Sequence, residues 1–296
     1  MRPDRTLQQM TASRSCPNRR ASWPPSLSCV ARRVRRMRIV AITLLTFACA
    51  TSGFGASTTN RDLTEFFGGR QGCFVLYDSQ DKRTIRYNPK QCAERFSPCS
   101  TFKIPHTVIA LHTGVASGPE FSLRWDGIKR GLSAWNQDQT LRSAFQGSVV
   151  WFYQELARRV GQQRESQLVR QFEYGNADTS GGTTNFWLQS SLLISADEQV
   201  AFLRRLWEDG LPASRDAQRV TRELMELSRG DGRVLYGKTG TGGDRKADIA
   251  TLGWFVGCVR RGERTVFFAT RITGERDASG RMARKITEAI LERLGV

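Results

Sequence analysis

The chain has 296 residues, 39% of them hydrophobic and 25% charged, enough to bury a substantial core and too apolar for a disordered or low-complexity protein. Its formal net charge of +17 would suit a nucleic-acid binder. Ten arginines against the single acid Asp4 give residues 1–56 a charge of +9, however, and the other +8 is mixed along the chain with no long basic run, which argues against nucleic acid.

In chain order, Arg32, Arg33, Arg35, Arg36 and Arg38 precede an apolar run from Ile39 to Ala50 and small residues through Ala56. A positive region, a short apolar region and a small-residue exit predict a secretory signal. The run falls short of the roughly 20 apolar residues that span a bilayer. The expectation is a periplasmic protein with no stable membrane insertion once the signal is removed. Residues 1–36 lack apolar periodicity, so Met37 is the expected start. Cys49 is a poor lipidation site because Thr46 stands where Leu is expected. Residues 1–56 are thus read as extension and signal, and 57–296 as the folded domain.

Cys73-Phe-Val-Leu-Tyr77 and Thr84-Ile-Arg-Tyr87 predict two strands joined by the polar turn Asp78–Arg83. An exported chain can carry disulfides. Cys73 and Cys92 flank this hairpin, and with Cys99 and Cys258 they leave open either a Cys73–Cys92 bridge or four buried thiols. Helices are predicted from Ser100 to His112, closed near Gly114, and from Val149 to Val160, closed by Gly161. Ser195-Ala-Asp-Glu198 is a capping box opening a helix to about Asp209, and a further helix covers Asp216 to Leu227. Strands return at Val234–Tyr236, Ala250–Val259 and Thr265–Ile272, with turns at Gly242-Gly243 and Arg260–Glu263, before a last helix from Gly280 to Leu294. The expected fold is α/β of the α+β kind. One antiparallel sheet is built from both termini and flanked by helices, with a mostly helical lobe inserted over about residues 94–230.

The candidate chemistry starts from an elimination. His106 and His112 are the two histidines of the chain, and His106 lies six residues past Ser100, off its helical face. A Ser–His pair and a histidine zinc site are therefore disfavoured, and both histidines read as partly exposed helix positions. Ser100-Thr-Phe-Lys103 offers another route, since residues three apart on a helix share a face and the lysine amine can reach the serine hydroxyl. A lysine base must be neutral or chemically altered, and apolar neighbours such as Phe102 favour the neutral amine. The spacing alone is weak: Ser79-Gln-Asp-Lys82 repeats it inside the hairpin turn, where it is accidental. Three further elements add weight. Ser148-Val-Val150 opens a helix, where Ser148 can relay protons or simply cap. Tyr174-Gly-Asn176 lies in a loop. Lys238-Thr-Gly240, followed by Thr241, ends a strand whose N–H groups suit an oxyanion and whose Lys and Thr suit a carboxylate.

These motifs, in this order and at these separations, resemble the class D β-lactamases, the oxacillinases, across about residues 65–296. The likeness includes the runs Tyr87-Asn-Pro, Trp125-Asp-Gly, Trp135-Asn-Gln-Asp and Phe186-Trp-Leu. It implies the penicillin-recognising serine enzyme fold and hydrolysis of penicillin- and oxacillin-type antibiotics through acylation of Ser100. It further implies that Lys103 carries a CO2-derived carbamate as general base, held by the Trp187 indole, and that Ser148 passes a proton to the leaving nitrogen. No other cofactor and no metal is expected. Ser100 and Thr241 would supply the oxyanion N–H groups. Lys238, Thr239, Gly240 and Arg284 would face the substrate carboxylate, with Val150, Tyr174 and Asn176 completing the site. Independently of the resemblance, the loop from Tyr174 to Ser191 has Asp178 as its one acid and no Glu, so an altered Lys103 is the available activator of the hydrolytic water. Cys99 departs from the small alanine usual before the family's nucleophile. The alternatives are a β-lactam sensor domain or a penicillin-binding transpeptidase, either of which stays acylated. The expected partners are small-molecule β-lactams, and the chain is read as a monomer or homodimer.

Overall fold

A strand covered on both faces reads as a nearly continuous apolar run, and Gln71–Asp78 is buried at every position after its first. It is the axis on which the rest of the sheet is laid. The computed structural model describes residues 57–244, 247 and 249–296, so the signal-like segment, Met37 and Cys49 lie outside the described residues.

The elements run β1 (Ser57–Asn60), α1 (Thr64–Phe67), β2 (Gln71–Asp78), β3 (Arg83–Tyr87), α2 (Pro89–Ala93), a 3₁₀ turn (Cys99–Phe102) and α3 (Lys103–His112). Next come β4 (Ser122–Leu123), β5 (Gln139–Thr140), α4 (Leu141–Gln146), α5 (Val150–Val160), α6 (Gln162–Gln171), α7 (Ala196–Trp207) and α8 (Arg215–Leu224). The chain closes with β6 (Glu226–Gly230), β7 (Arg233–Asp244), β8 (Ile249–Arg261), β9 (Arg264–Thr273) and α9 (Gly280–Arg293). Among the described residues the main sheet has seven strands in the order β1-β3-β2-β9-β8-β7-β6. The first hairpin pairs with the last strands, Val75 opposite Ala269, so both termini build one sheet as expected. One apolar core lies between the sheet and the helical lobe, and a second lies on the sheet's other face beneath α1 and α9.

Several local expectations are corrected. The sheet is mixed, because the short polar β1 joins β3 in parallel. The helix expected to reach Leu227 stops at Leu224, and Glu226–Gly230 becomes a strand. Its hairpin turn is Asp231-Gly232 with φ of 51° and 71°, the left-handed pair a two-residue turn between twisted strands requires. Strand β7 does not turn at Gly242-Gly243 but runs on to Asp244 through a register shift there. Helix α6 had no counterpart among the expected elements. The capping box is present as read, with Ser195 Oγ accepting from Glu198 N and Glu198 Oε2 accepting from Ser195 N. Cys73 and Cys92 are buried thiols with no disulfide between them, and the Cys92 thiol donates to the Tyr87 carbonyl at 3.1 Å. Among the described residues no helix is long and apolar enough to cross a membrane.

The sheet fixes the turn before Ser100 through one indole. Trp254 of β8 donates its Nε1–H to the Ser97 carbonyl at 2.9 Å in the core. Ser97 Oγ in turn donates to the Trp187 carbonyl at 3.0 Å and accepts from Gln189 N at 2.8 Å. Ser97 thereby joins the sheet, the 3₁₀ turn and the loop carrying Trp187. Replacing Trp254 with Phe keeps the packing but strands a buried carbonyl. Urea denaturation should show a loss of about 1–3 kcal/mol.

Candidate active site

Ser100 sits in the 3₁₀ turn that leads into α3, preceded by Cys99 at a left-handed φ of 49°. A non-glycine residue held there costs of order 1–3 kcal/mol and marks a turn over-determined by its surroundings. The Thr101 N–H and hydroxyl both return to the Pro98 carbonyl, at 3.1 and 2.8 Å, and tie the turn shut. Lys103, the first residue of α3, is fully buried and donates from Nζ to Ser100 Oγ at 3.1 Å. Its ammonium also lies 5.1 Å from the centre of the Tyr153 ring. Trp187 is fully buried, stacked on Phe102 at 5.6 Å, and its Nε1–H has no hydrogen-bond partner.

Ser148 caps nothing: the cap of α5 is Val149, and no side chain serves it. Instead Ser148 stands at φ 56° and its Oγ accepts from Lys238 Nζ at 3.0 Å. Lys238 is buried and also donates to the Thr239 carbonyl at 3.0 Å. Burial brings its ammonium down from 10.5 to about 7. Gly240 is required by close approach, since a Cβ there would lie 2.8 Å from the Pro98 carbonyl, and its absence lets β7 lie flat against the catalytic turn. The Thr241 hydroxyl accepts from the Gly280 N–H at 2.9 Å, which joins β7 to the start of α9.

Ser100, Ser148, Thr239 and Thr241 face a common cavity of about 660 Å³, whose rim includes Leu132 and Trp135. Sequence reasoning assigned those two no role, although Trp135 fell in a quoted run. It also missed Ser97, whose signal is purely three-dimensional. Other expected site residues lie elsewhere. Val150 is buried at the start of α5 and is not part of the cavity wall. Tyr174 is fully buried against Phe102 and Phe202, its hydroxyl donating to Gln199 Oε1 at 3.3 Å. Asn176 braces its loop, accepting from Asp178 N and Leu193 N and donating to the Ser191 carbonyl. Arg284 pairs with Glu288 at 2.8 Å along α9 and is also absent from the wall. Asp178 is exposed, and the Ser180 N–H it accepts holds its carboxyl below the usual range. His106, expected to be partly exposed, is fully buried because α3 runs through the core of the helical lobe. Among the described residues no group of three His, Cys, Asp or Glu side chains could hold a metal.

Residues 72–292 match the family model of the penicillin-binding protein transpeptidase domain. The chain is 38% identical to a probable β-lactamase, YbxI, of Bacillus subtilis over 240 residues, covering 81% of this chain and 87% of that one. Among solved structures, the class D β-lactamase BAT-2 is 40% identical with a TM-score of 0.74, over 79% of this chain and 96% of that one. The C-terminal domain of the BlaR penicillin receptor of Bacillus licheniformis is 34% identical with a TM-score of 0.77, over 81% of this chain and 98% of that one.

Lys238 makes a sign-definite prediction. Its folded value near 7 lies below 10.5, so above pH 7 the unfolded chain binds the extra proton and stability rises with pH up to about 10.5. Lys238→Met should flatten that rise in urea titrations across pH and raise the thermal midpoint at pH 7, while lowering kcat/KM for anionic β-lactams by at least about tenfold.

Proposed function

The chain belongs to the class D β-lactamases, hydrolases of the β-lactam ring, and from that membership we propose that it opens penicillin- and oxacillin-type antibiotics through a covalent Ser100 acyl-enzyme. The observation that carries the mechanism is the 3.1 Å approach of Lys103 Nζ to Ser100 Oγ inside a buried aromatic chamber. Ser100 Oγ attacks the lactam carbonyl as its proton passes to the Lys103 side. The N–H groups of Ser100 and Thr241 receive the oxyanion. Because Lys238 donates to Ser148 Oγ, the Ser148 hydroxyl proton is directed away from Lys238 and can go to the leaving nitrogen. Thr239 on the cavity wall and Lys238, bonded to the wall residue Ser148, receive the substrate carboxylate.

A carbamate on Lys103 fits the chamber, because the Trp187 indole N–H is buried without a partner and suits an anionic oxygen. When present, it supplies a carboxylate base for both half-reactions. That role is otherwise vacant, since the loop acid Asp178 is exposed and engaged by its own backbone. The likeness to the BlaR receptor domain supports a second reading, in which the same acylation occurs and deacylation does not.

Turnover of a chromogenic cephalosporin by the purified protein separates the two. Sustained turnover, stimulated by bicarbonate, is expected of the hydrolase, whereas one stoichiometric burst would assign the chain to the sensors. Lys103→Ala should lower kcat by about 10²–10⁴-fold, and Ser100→Ala by at least about 10⁴-fold. Full activity in Ser100→Ala would overturn the assignment of the nucleophile.

A further inference from the structure

Five of the eight buried side-chain polar atoms without a hydrogen-bond partner among the described residues form one cluster behind Ser100. They are Nδ1 and Nε2 of His106, both carboxyl oxygens of Glu165, and Nε1 of Trp187. His106 of α3 and Glu165 of α6 are each fully buried and approach to 3.6 Å between Nε2 and Oε2. His106 follows Lys103 by one helical turn, so the two share a face of α3. The His106 ring meets Trp187 at 5.3 Å and Tyr153 at 5.4 Å, and Tyr153 is the ring on which the Lys103 ammonium rests. Histidine and lysine thus share one aromatic-walled chamber.

Few other groups can set its charge. Helix α3 contributes Lys103 and α6 contributes Glu165. Helix α5 contributes Tyr153, whose hydroxyl is engaged with Thr107 at 2.8 Å and pushed up by burial. The buried face of α8, formed by Ala217, Gln218, Val220, Thr221 and Leu224, brings no ionisable side chain. Burial raises the Glu165 carboxyl to about 8 and lowers the His106 imidazole to about 3, with the positive charge of Lys103 adding to the latter. At rest the pair is a neutral imidazole beside a neutral carboxyl. Two such groups without hydrogen bonds weaken a core that an apolar pair of the same volume would fill better. Their placement beside Lys103 gives them another use.

We propose that His106, backed by Glu165, takes up the proton released when Lys103 is carbamylated, and so keeps the chamber electrically balanced as the lysine becomes an anion. The inference rests on the carbamate reading above. The Lys103 ammonium first gives one proton to solvent; the lone pair of the resulting amine adds to the carbon of CO2, a C–N bond forms, and one C–O π pair becomes the carboxylate. An N–H proton then leaves to the pair, which becomes cationic opposite the new negative charge. The cation on Lys103 that disfavours protonation of His106 is replaced by an anion that favours it. His106 and Glu165 are therefore positioning residues that act through Lys103 and do not touch substrate.

The test is ¹³C NMR of the full chain titrated with ¹³C-bicarbonate, on the parent and on His106→Asn, Glu165→Gln and Glu165→Met, with thermal melts confirming that each is folded. The parent should show a carbamate resonance. His106→Asn and Glu165→Gln should need about tenfold more bicarbonate for the same occupancy, the equivalent of one pKa unit, and excess bicarbonate should restore their turnover in step with that resonance. An occupancy curve unchanged in every variant, with Glu165→Met only raising the melting temperature, would overturn the proposal and leave the pair a packing defect. Absence of the resonance from the parent, with a rate indifferent to bicarbonate, would overturn the carbamate reading itself, an outcome visible before any variant is compared.

Discussion

The structure is organised around a lysine amine held out of water 3.1 Å from a serine hydroxyl. Removing a charged amine from solvent costs on the order of several kcal/mol, so a fold that buries one beside a nucleophile must assemble its walls from elsewhere. Those walls come from three segments far apart in the chain: Phe102 in the catalytic turn, Tyr153 on α5, and Trp187 in the loop before α7. Each is placed by an interaction that makes little sense locally. Trp187 is positioned through its own carbonyl, held by Ser97, and Ser97 is held by Trp254 from the sheet. The helical lobe and the sheet therefore meet in a hydrogen-bond chain through Ser97, two residues before the left-handed Cys99 and three before Ser100.

A second lysine solves a different problem behind Ser148, which lines the cavity. Lys238 is buried enough for its ammonium to fall to about 7, yet it keeps Ser148 and the Thr239 carbonyl as acceptors. Its charge is thus available near neutrality, where an arriving carboxylate would strengthen it. The position depends on glycine. Gly240 lets β7 press on the Pro98 carbonyl, and Gly280 lets α9 press in turn on the Gly240 carbonyl, which a Cβ would approach to 2.7 Å. Two missing methyl groups set how closely β7 approaches the turn before Ser100 and how closely α9 approaches β7.

How much of this was legible in the sequence follows from the range of the interactions. The Ser100–Lys103 spacing, the first hairpin and the Ser195 capping box are short-range patterns and were readable. The left-handed turn at Asp231-Gly232 was equally present in the sequence, but the helical run before it masked the signal. Strand β1 carries four exposed polar residues and no alternation, so only pairing with β3 makes it a strand. Trp254–Ser97 joins residues 157 apart, a separation that no periodicity reports. Tyr174, Asn176 and Arg284 were read as substrate contacts from the resemblance. The structure instead spends Tyr174 on the core, Asn176 on its loop and Arg284 on Glu288.

The likeness to both hydrolases and a receptor domain is physically coherent. Acylation needs the nucleophile, the oxyanion N–H groups and a proton acceptor for one step, all of which the catalytic turn and β7 can supply. Deacylation makes a further demand: a base must persist beside the ester after the first proton has moved, with a water in reach. Nothing in the loop from Tyr174 to Ser191 meets it, because its acid is exposed and bonded to its own backbone. In the mechanism proposed above, that demand falls on the Lys103 chamber, where the indole N–H of Trp187 and the His106–Glu165 pair are buried without hydrogen-bond partners. Two proteins with the same cavity can therefore differ in whether they release their acyl group through the electrostatics of side chains that never touch the drug.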